Sequence, residues 1–122
     1  MSVCNVKVEY IRPQYQNLSE WCQDCNNVYI GRRGIVLINS RRYPEQNSIW
    51  ANPFKLTGDS EDERQDILRQ YYYYISDKIV KENLWAQLEL LRGKNLGCWC
   101  RPKACHGDVL LYILSVIDSW KK

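Results

Sequence analysis

Half of the six cysteines and the sole histidine fall within nine residues, Cys98-Trp-Cys100-Arg-Pro-Lys-Ala-Cys105-His106. Thiols and an imidazole at such short separation do one of three things: bind a metal, act on a substrate, or fill a core. On an extended strand Cys98 and Cys100 project to one face while Trp99 points to the other. A turn marked by Pro102 returns Cys105 and His106 towards that face, which assembles three sulfurs and one nitrogen, a set suited to tetrahedral zinc. Three cysteines with an open position suit an iron–sulfur cluster equally. Cys22 and Cys25, with C-x-x-C spacing, form a second half-site that can complete the metal reading.

A metal-free reading uses the same residues differently. Cys105 lies at the expected start of a helix, where free N–H groups and the helix dipole stabilise a thiolate, and Arg101, Lys103 and His106 add positive charge. There Cys105 becomes a nucleophile, His106 a proton carrier near neutral pH, and Asp108 a group that orients the imidazole or a ligand hydroxyl. In the third reading the cysteines are small apolar core residues, as free cysteines often are, and the chain is a non-catalytic interaction module.

Other positions suggest a binding wall. Arg32 follows Gly31 at an expected strand end, and an arginine fork grips oxyanions. Trp50 and Phe54 flank Asn52-Pro53, so an indole that stacks on flat rings sits beside an amide that reads hydrogen-bonding edges. With Arg101 and Lys103, these residues point to a nucleotide or a nucleic-acid component as ligand.

These groups need elements to place them. The run Leu96 to Cys100 reads as a short buried strand after the Gly93 stop, and Val109 to Ile117 as a packed helix. Val3 to Ile11 alternates apolar and polar residues as a half-buried strand does, which makes Cys4 a core residue, and Leu18 to Cys25 is one helical turn. Val28 to Gly31 reads as a central strand. Ile35 to Ile38 is a second apolar run able to hairpin with it, and Asn39 to Ser48 reads as an exposed loop. Ser60 and Glu63 form a capping box, after which Ile67, Tyr71, Tyr74, Ile75 and Ile79 repeat at helical spacing. Leu84, Leu88 and Leu91 mark a shorter helix capped by Gly93. The sum is an α/β fold, a single-domain sandwich with a small mixed or parallel sheet flanked by helices.

At 122 residues the chain fits one domain across its whole length. Seventeen Lys plus Arg against fourteen Asp plus Glu leave a net charge of +3, too small to identify a polyanionic partner. No run approaches the length of a membrane span, and the amino terminus lacks the basic start and apolar core of a signal peptide. The expectation is a cytoplasmic, reducing location in which thiols stay free.

Taken together, Val28-Tyr-Ile-Gly-Arg32, Trp50-Ala-Asn-Pro-Phe54, Leu91 to Cys100 and Cys105-His-Gly-Asp-Val-Leu110 resemble the successive blocks of a family called domain of unknown function 4326, common in phages, bacteria and large viruses. The resemblance spans about residues 28 to 114. It implies that Arg33 to Ile49 is an insertion between the Gly-Arg and Asn-Pro-Phe blocks, and that Ala51 replaces the usual glycine.

Overall fold

The computed structural model describes residues 2–54, 58, 60–99 and 104–120, so Cys100, Arg101 and Lys103 lie outside the described residues. Strands β1 (Ser2–Asn5), β2 (Asn27–Tyr29) and β5 (Asn95–Cys98) form a parallel sheet in the order β1-β5-β2. Strands β3 (Val36–Ile38) and β4 (Arg41–Tyr43) make a separate antiparallel pair. The helices are α1 (Val8–Ile11), α2 (Leu18–Gln23), α3 (Glu61–Lys81), α4 (Trp85–Glu89) and α5 (His106–Trp120).

The central strand β5 explains the layering. Leu96 pairs in register with Val3 and Val28, and all three face the cluster built by α3, α4 and α5. Cys98, two residues on, belongs to that cluster. Gly97 faces the opposite side, where a Cβ would meet the Trp21 ring at 2.5 Å and Val6 Cγ1 at 2.8 Å. Trp21, Val6, Ile11 and Leu18 form the second core there. Both faces of the strand are therefore covered, one through its own Leu96 and Cys98 and the other by Trp21 and Val6 laid against a bare glycine.

Local chemistry sets the boundaries. Asn5 Oδ1 accepts the Lys7 N–H at 3.0 Å, a turn that ends β1, and the chain then enters α1. The alternation expected to run as strand from Val3 to Ile11 is thus strand only to Asn5. Ile35 to Ile38 does not pair with the Val28 strand, which is committed to β5. Asn39 and Ser40 take φ of 52° and 66°, and this two-residue, left-handed loop folds β3 onto Arg41–Tyr43. The stretch expected as loop from Asn39 to Ser48 therefore contains a strand. Ser60 Oγ accepts the Glu63 N–H at 3.1 Å and starts α3, and Gly93, at φ 73°, closes the turn after α4. No described helix is long and apolar enough to cross a membrane.

Gly97→Ala is expected to lower stability by about 1–3 kcal/mol, because a rigid indole must move to admit the methyl. Urea unfolding of Gly97→Ala, Trp21→Phe and the double variant checks this. A smaller ring at position 21 should make the glycine change less costly than it is alone.

Candidate functional site

The carboxyl ends of β2 and β5 and the start of α5 meet at one place. Beyond the strands the ladder continues: Ile30 N–H donates to Gly97 O at 3.1 Å and Val6 N–H to Cys98 O at 2.9 Å. Such a strand-end crevice is where open parallel sheets hold ligands. Gly107 lets α5 approach it. A Cβ there would lie 2.9 Å from Val3 Cγ2 and 3.0 Å from Ile30 Cδ1.

Cys105 stands just before α5 as its cap. Its sulfur accepts the Gly107 N–H at 3.3 Å, and its own N–H donates to Asp108 Oδ2 at 3.0 Å. This is the reciprocal logic of a capping box with sulfur in the hydroxyl's place. Asp108, expected to orient an imidazole or a ligand, is thereby placed on the backbone of Cys105.

His106 is buried, and its Nε2 lies 2.7 Å from Ile30 O. A carbonyl only accepts, so Nε2 carries the proton and, in the neutral ring, Nδ1 holds a lone pair. That Nδ1 is 3.7 Å from Cys105 Sγ. The Tyr71 ring meets the imidazole edge-on with centroids 5.1 Å apart, and Tyr71 is itself fixed by donating to Trp50 O at 2.7 Å. Burial, with Cys105 and Tyr74 nearby, raises the Tyr71 phenol well above its ordinary value.

The pair opens on a cavity of about 200 Å³ lined by Gly31, Arg32, Asn52, Phe54, Trp99, Cys105 and His106 among others. Arg32 donates from Nε to Asn52 O at 2.8 Å and from Nη2 to Phe54 O at 3.1 Å. It therefore joins the Gly-Arg and Asn-Pro-Phe segments into one wall. Asn52 Oδ1 accepts the Phe54 N–H at 2.9 Å and tightens the turn. Trp50 is placed differently from the expectation: it is 3 % exposed, packed in the α3–α5 core and not in the cavity lining.

Among the lining residues that the sequence reading did not assign to the site, Trp99 and Arg64 make side-chain hydrogen bonds. Trp99 follows the last residue of β5, and its Nε1–H donates to Tyr29 OH at 2.9 Å. Burial pushes the Tyr29 phenol to about 12, with the bond from Trp99 acting in the opposite direction. Arg64 is buried and donates from Nη1 to Ala104 O at 3.1 Å, which ties α3 to the chain just before Cys105. The signal for Arg64 was its position seven before Tyr71 on the buried stripe of α3.

The remaining cysteines separate by face. Cys98 shares the Cys105 cluster, whereas Cys22 packs with the second core, where burial raises its thiol. Cys25 is exposed and Cys4 is intermediate. Among the described residues no group of three or more His, Cys, Asp or Glu side chains is arranged to hold a metal ion. Cys105 and His106 are together, Cys98 lies in the same core, and Cys100 falls outside the described residues.

The sequence profile of the family described as Domain of unknown function (DUF4326) matches residues 14–116. An uncharacterised protein of Acanthamoeba polyphaga mimivirus is 30% identical over 115 residues, covering 86% of this chain and 78% of that protein. An uncharacterised 12.4 kDa protein in the nrdA-td intergenic region of Enterobacteria phage T4 is 57% identical over 30 residues, 25% of this chain and 28% of that one. No solved structure matches the chain.

Because the chain has one histidine, a long-range proton–nitrogen correlation spectrum reads His106 without assignment. The neutral ring should appear as the Nε2–H tautomer, and an Nδ1–H ring would contradict the Ile30 bond. A second expectation concerns alkali. The Tyr29 and Tyr71 phenols ionise with more difficulty folded than unfolded, so the stability they confer is complete below about pH 10 and declines as pH rises past it. Fully buried Tyr71 contributes up to about 1.4 kcal/mol per pH unit of that decline. Urea midpoints between about pH 9 and 11 should fall less steeply in Tyr71→Phe than in the wild type.

Proposed function

The chain belongs to the DUF4326 family, and on that premise we propose that it binds a nucleotide-like ligand in the strand-end cavity, with Cys105 as reactive thiol and His106 as its base. One observation carries the reading: Sγ and Nδ1 lie 3.7 Å apart in the lining of a cavity, with the opposite ring nitrogen anchored to Ile30 O. The thiol proton passes to Nδ1. The resulting imidazolium keeps its Nε2–H on the carbonyl, so the ring accepts a proton without turning. Negative charge on the sulfur is favoured by the Gly107 N–H and the start of α5.

The walls suit a flat ring. Trp99 and Phe54 are aromatic, Ile35, Ile67 and Leu68 are apolar, and Arg32, Asn52 and Arg64 supply polar contacts at a few points. Few polar groups on apolar walls is the usual make-up of a small-ligand pocket.

Zinc is the second reading, favoured by one specific feature. A histidine whose Nε2–H is held by a carbonyl offers Nδ1 to a metal in the way second-shell bonds usually prepare it. Cys105 then shares the ion with His106, and Cys98 or Cys100 would complete the set.

Alkylation by iodoacetamide, mapped by peptide mass spectrometry on metal-analysed protein, separates the readings. A reactive pair predicts that Cys105 is modified at neutral pH, about tenfold or more slowly in His106→Asn, with Cys25 unchanged. Nucleoside 5′-monophosphates should protect Cys105 and shift the His106 signals. Cys105 that stays unmodified in the folded protein, or reacts equally in both proteins, removes the nucleophile. About one zinc per chain that is lost in Cys105→Ser moves the assignment to the metal.

A further inference from the structure

A second concavity, of about 300 Å³, lies beside the Cys105 cavity, and Arg32 and Asn52 line both. Its other polar lining comes from Asn47, Ser48, Tyr74 and Lys78, with no Asp or Glu. What distinguishes it is the state of its acceptors. Asn47 Oδ1 takes the Arg33 N–H at 2.8 Å, Ser48 Oγ the Trp50 N–H at 3.1 Å, and Asn52 Oδ1 the Phe54 N–H at 2.9 Å. Each side chain thus spends an oxygen on the backbone. What it retains is a donor: two amide Nδ2 groups and one hydroxyl hydrogen, none with a protein acceptor among the described residues.

Two cations complete the lining. Lys78 Nζ lies 5.9 Å from the centroid of the Tyr74 ring and makes no ion pair among the described residues. Arg32 is held by two carbonyls that carry no formal charge, so its positive charge is not neutralised. A concavity lined by donors and cations, with the side-chain oxygens of Asn47, Ser48 and Asn52 each accepting from the backbone, is complementary to a tetrahedral oxyanion.

We infer that this concavity is a phosphate subsite, and that a nucleotide-like ligand straddles the Arg32–Asn52 wall with its ring beside Cys105 and its phosphate against Lys78, Ser48 and Asn47. The ring placement rests on the function proposed above. The anion site stands on its own geometry.

The test is calorimetric titration with inorganic phosphate, a nucleoside 5′-monophosphate, the uncharged nucleoside and a short single-stranded oligonucleotide. Lys78→Gln removes a cation, and Asn47→Asp keeps the oxygen that accepts from Arg33 while replacing the donor amide by a carboxylate. Phosphate and monophosphate should bind the wild type and weaken about tenfold or more in each variant, with circular dichroism and the Cys105 alkylation rate unchanged. If the oligonucleotide binds with the same dependence, the anion is a backbone diester; if only the monophosphate does, it is a terminal group. Either supports the subsite. Phosphate affinity unaltered by both variants, or no binding at millimolar concentration, overturns it. If the nucleoside leaves His106 unshifted while phosphate binding still depends on Lys78 and Asn47, the ring reading fails and the subsite remains.

Discussion

The hydrogen bond from His106 Nε2 to Ile30 O is the constraint on which the rest of the site depends. It fixes the first turn of α5 to the chain leaving β2, selects the tautomer, and turns Nδ1 towards Cys105. Neighbouring features make this bond possible. Gly107 removes the Cβ that would hold α5 away from Val3 and Ile30. Tyr71, itself tied to Trp50 O, packs edge-on against the imidazole and restricts its rotation. The buried ring is therefore held at its protonated nitrogen, at its edge and through the neighbouring backbone, which is how precise geometry is kept at a site.

A similar economy appears at Arg32. Its guanidinium is spent on the carbonyls of Asn52 and Phe54, so a residue whose type suggests ligand recognition is first of all the clasp between two chain segments. Structural and binding roles do not exclude each other here. A planar fork with two donors engaged still presents charge to both cavities it lines.

Much of this was legible in the sequence because local rules govern it. The Ser60 cap, the Ile67 to Ile79 stripe, the Gly93 turn and the buried strand read from Leu96, which ends at Cys98 and not at Cys100, are set by residues within a few positions of one another. Cys105 and His106 were legible as a pair because adjacency in the chain guarantees it. The misreadings arise where a local turn or a distant partner overrides the periodic pattern. Val6 and Val8 continue an alternating pattern, yet Asn5 ends the strand through its own side chain, and no periodicity shows that. The Ile35 to Ile38 run found Arg41–Tyr43 because Asn39 and Ser40 accept positive φ, while the apparently better partner at Val28 was taken by β5. Trp50 has the composition of a pocket wall and the environment of a core residue. Arg64 was not read at all, and its phase relative to Tyr71 is what marks it as buried.

The β3–β4 pair shares no ladder hydrogen bonds with the parallel sheet, although Ile35, just before it, lines the Cys105 cavity and Val36 and Tyr43 pack on the second core. Its turn, Asn39-Ser40, and the side chains of Leu37 and Arg42 are exposed. The turn can therefore vary in length or charge without touching the β5 ladder or the cap of α5. Surface turns of this kind tolerate change more readily than the strands and the helix cap that frame the cavity.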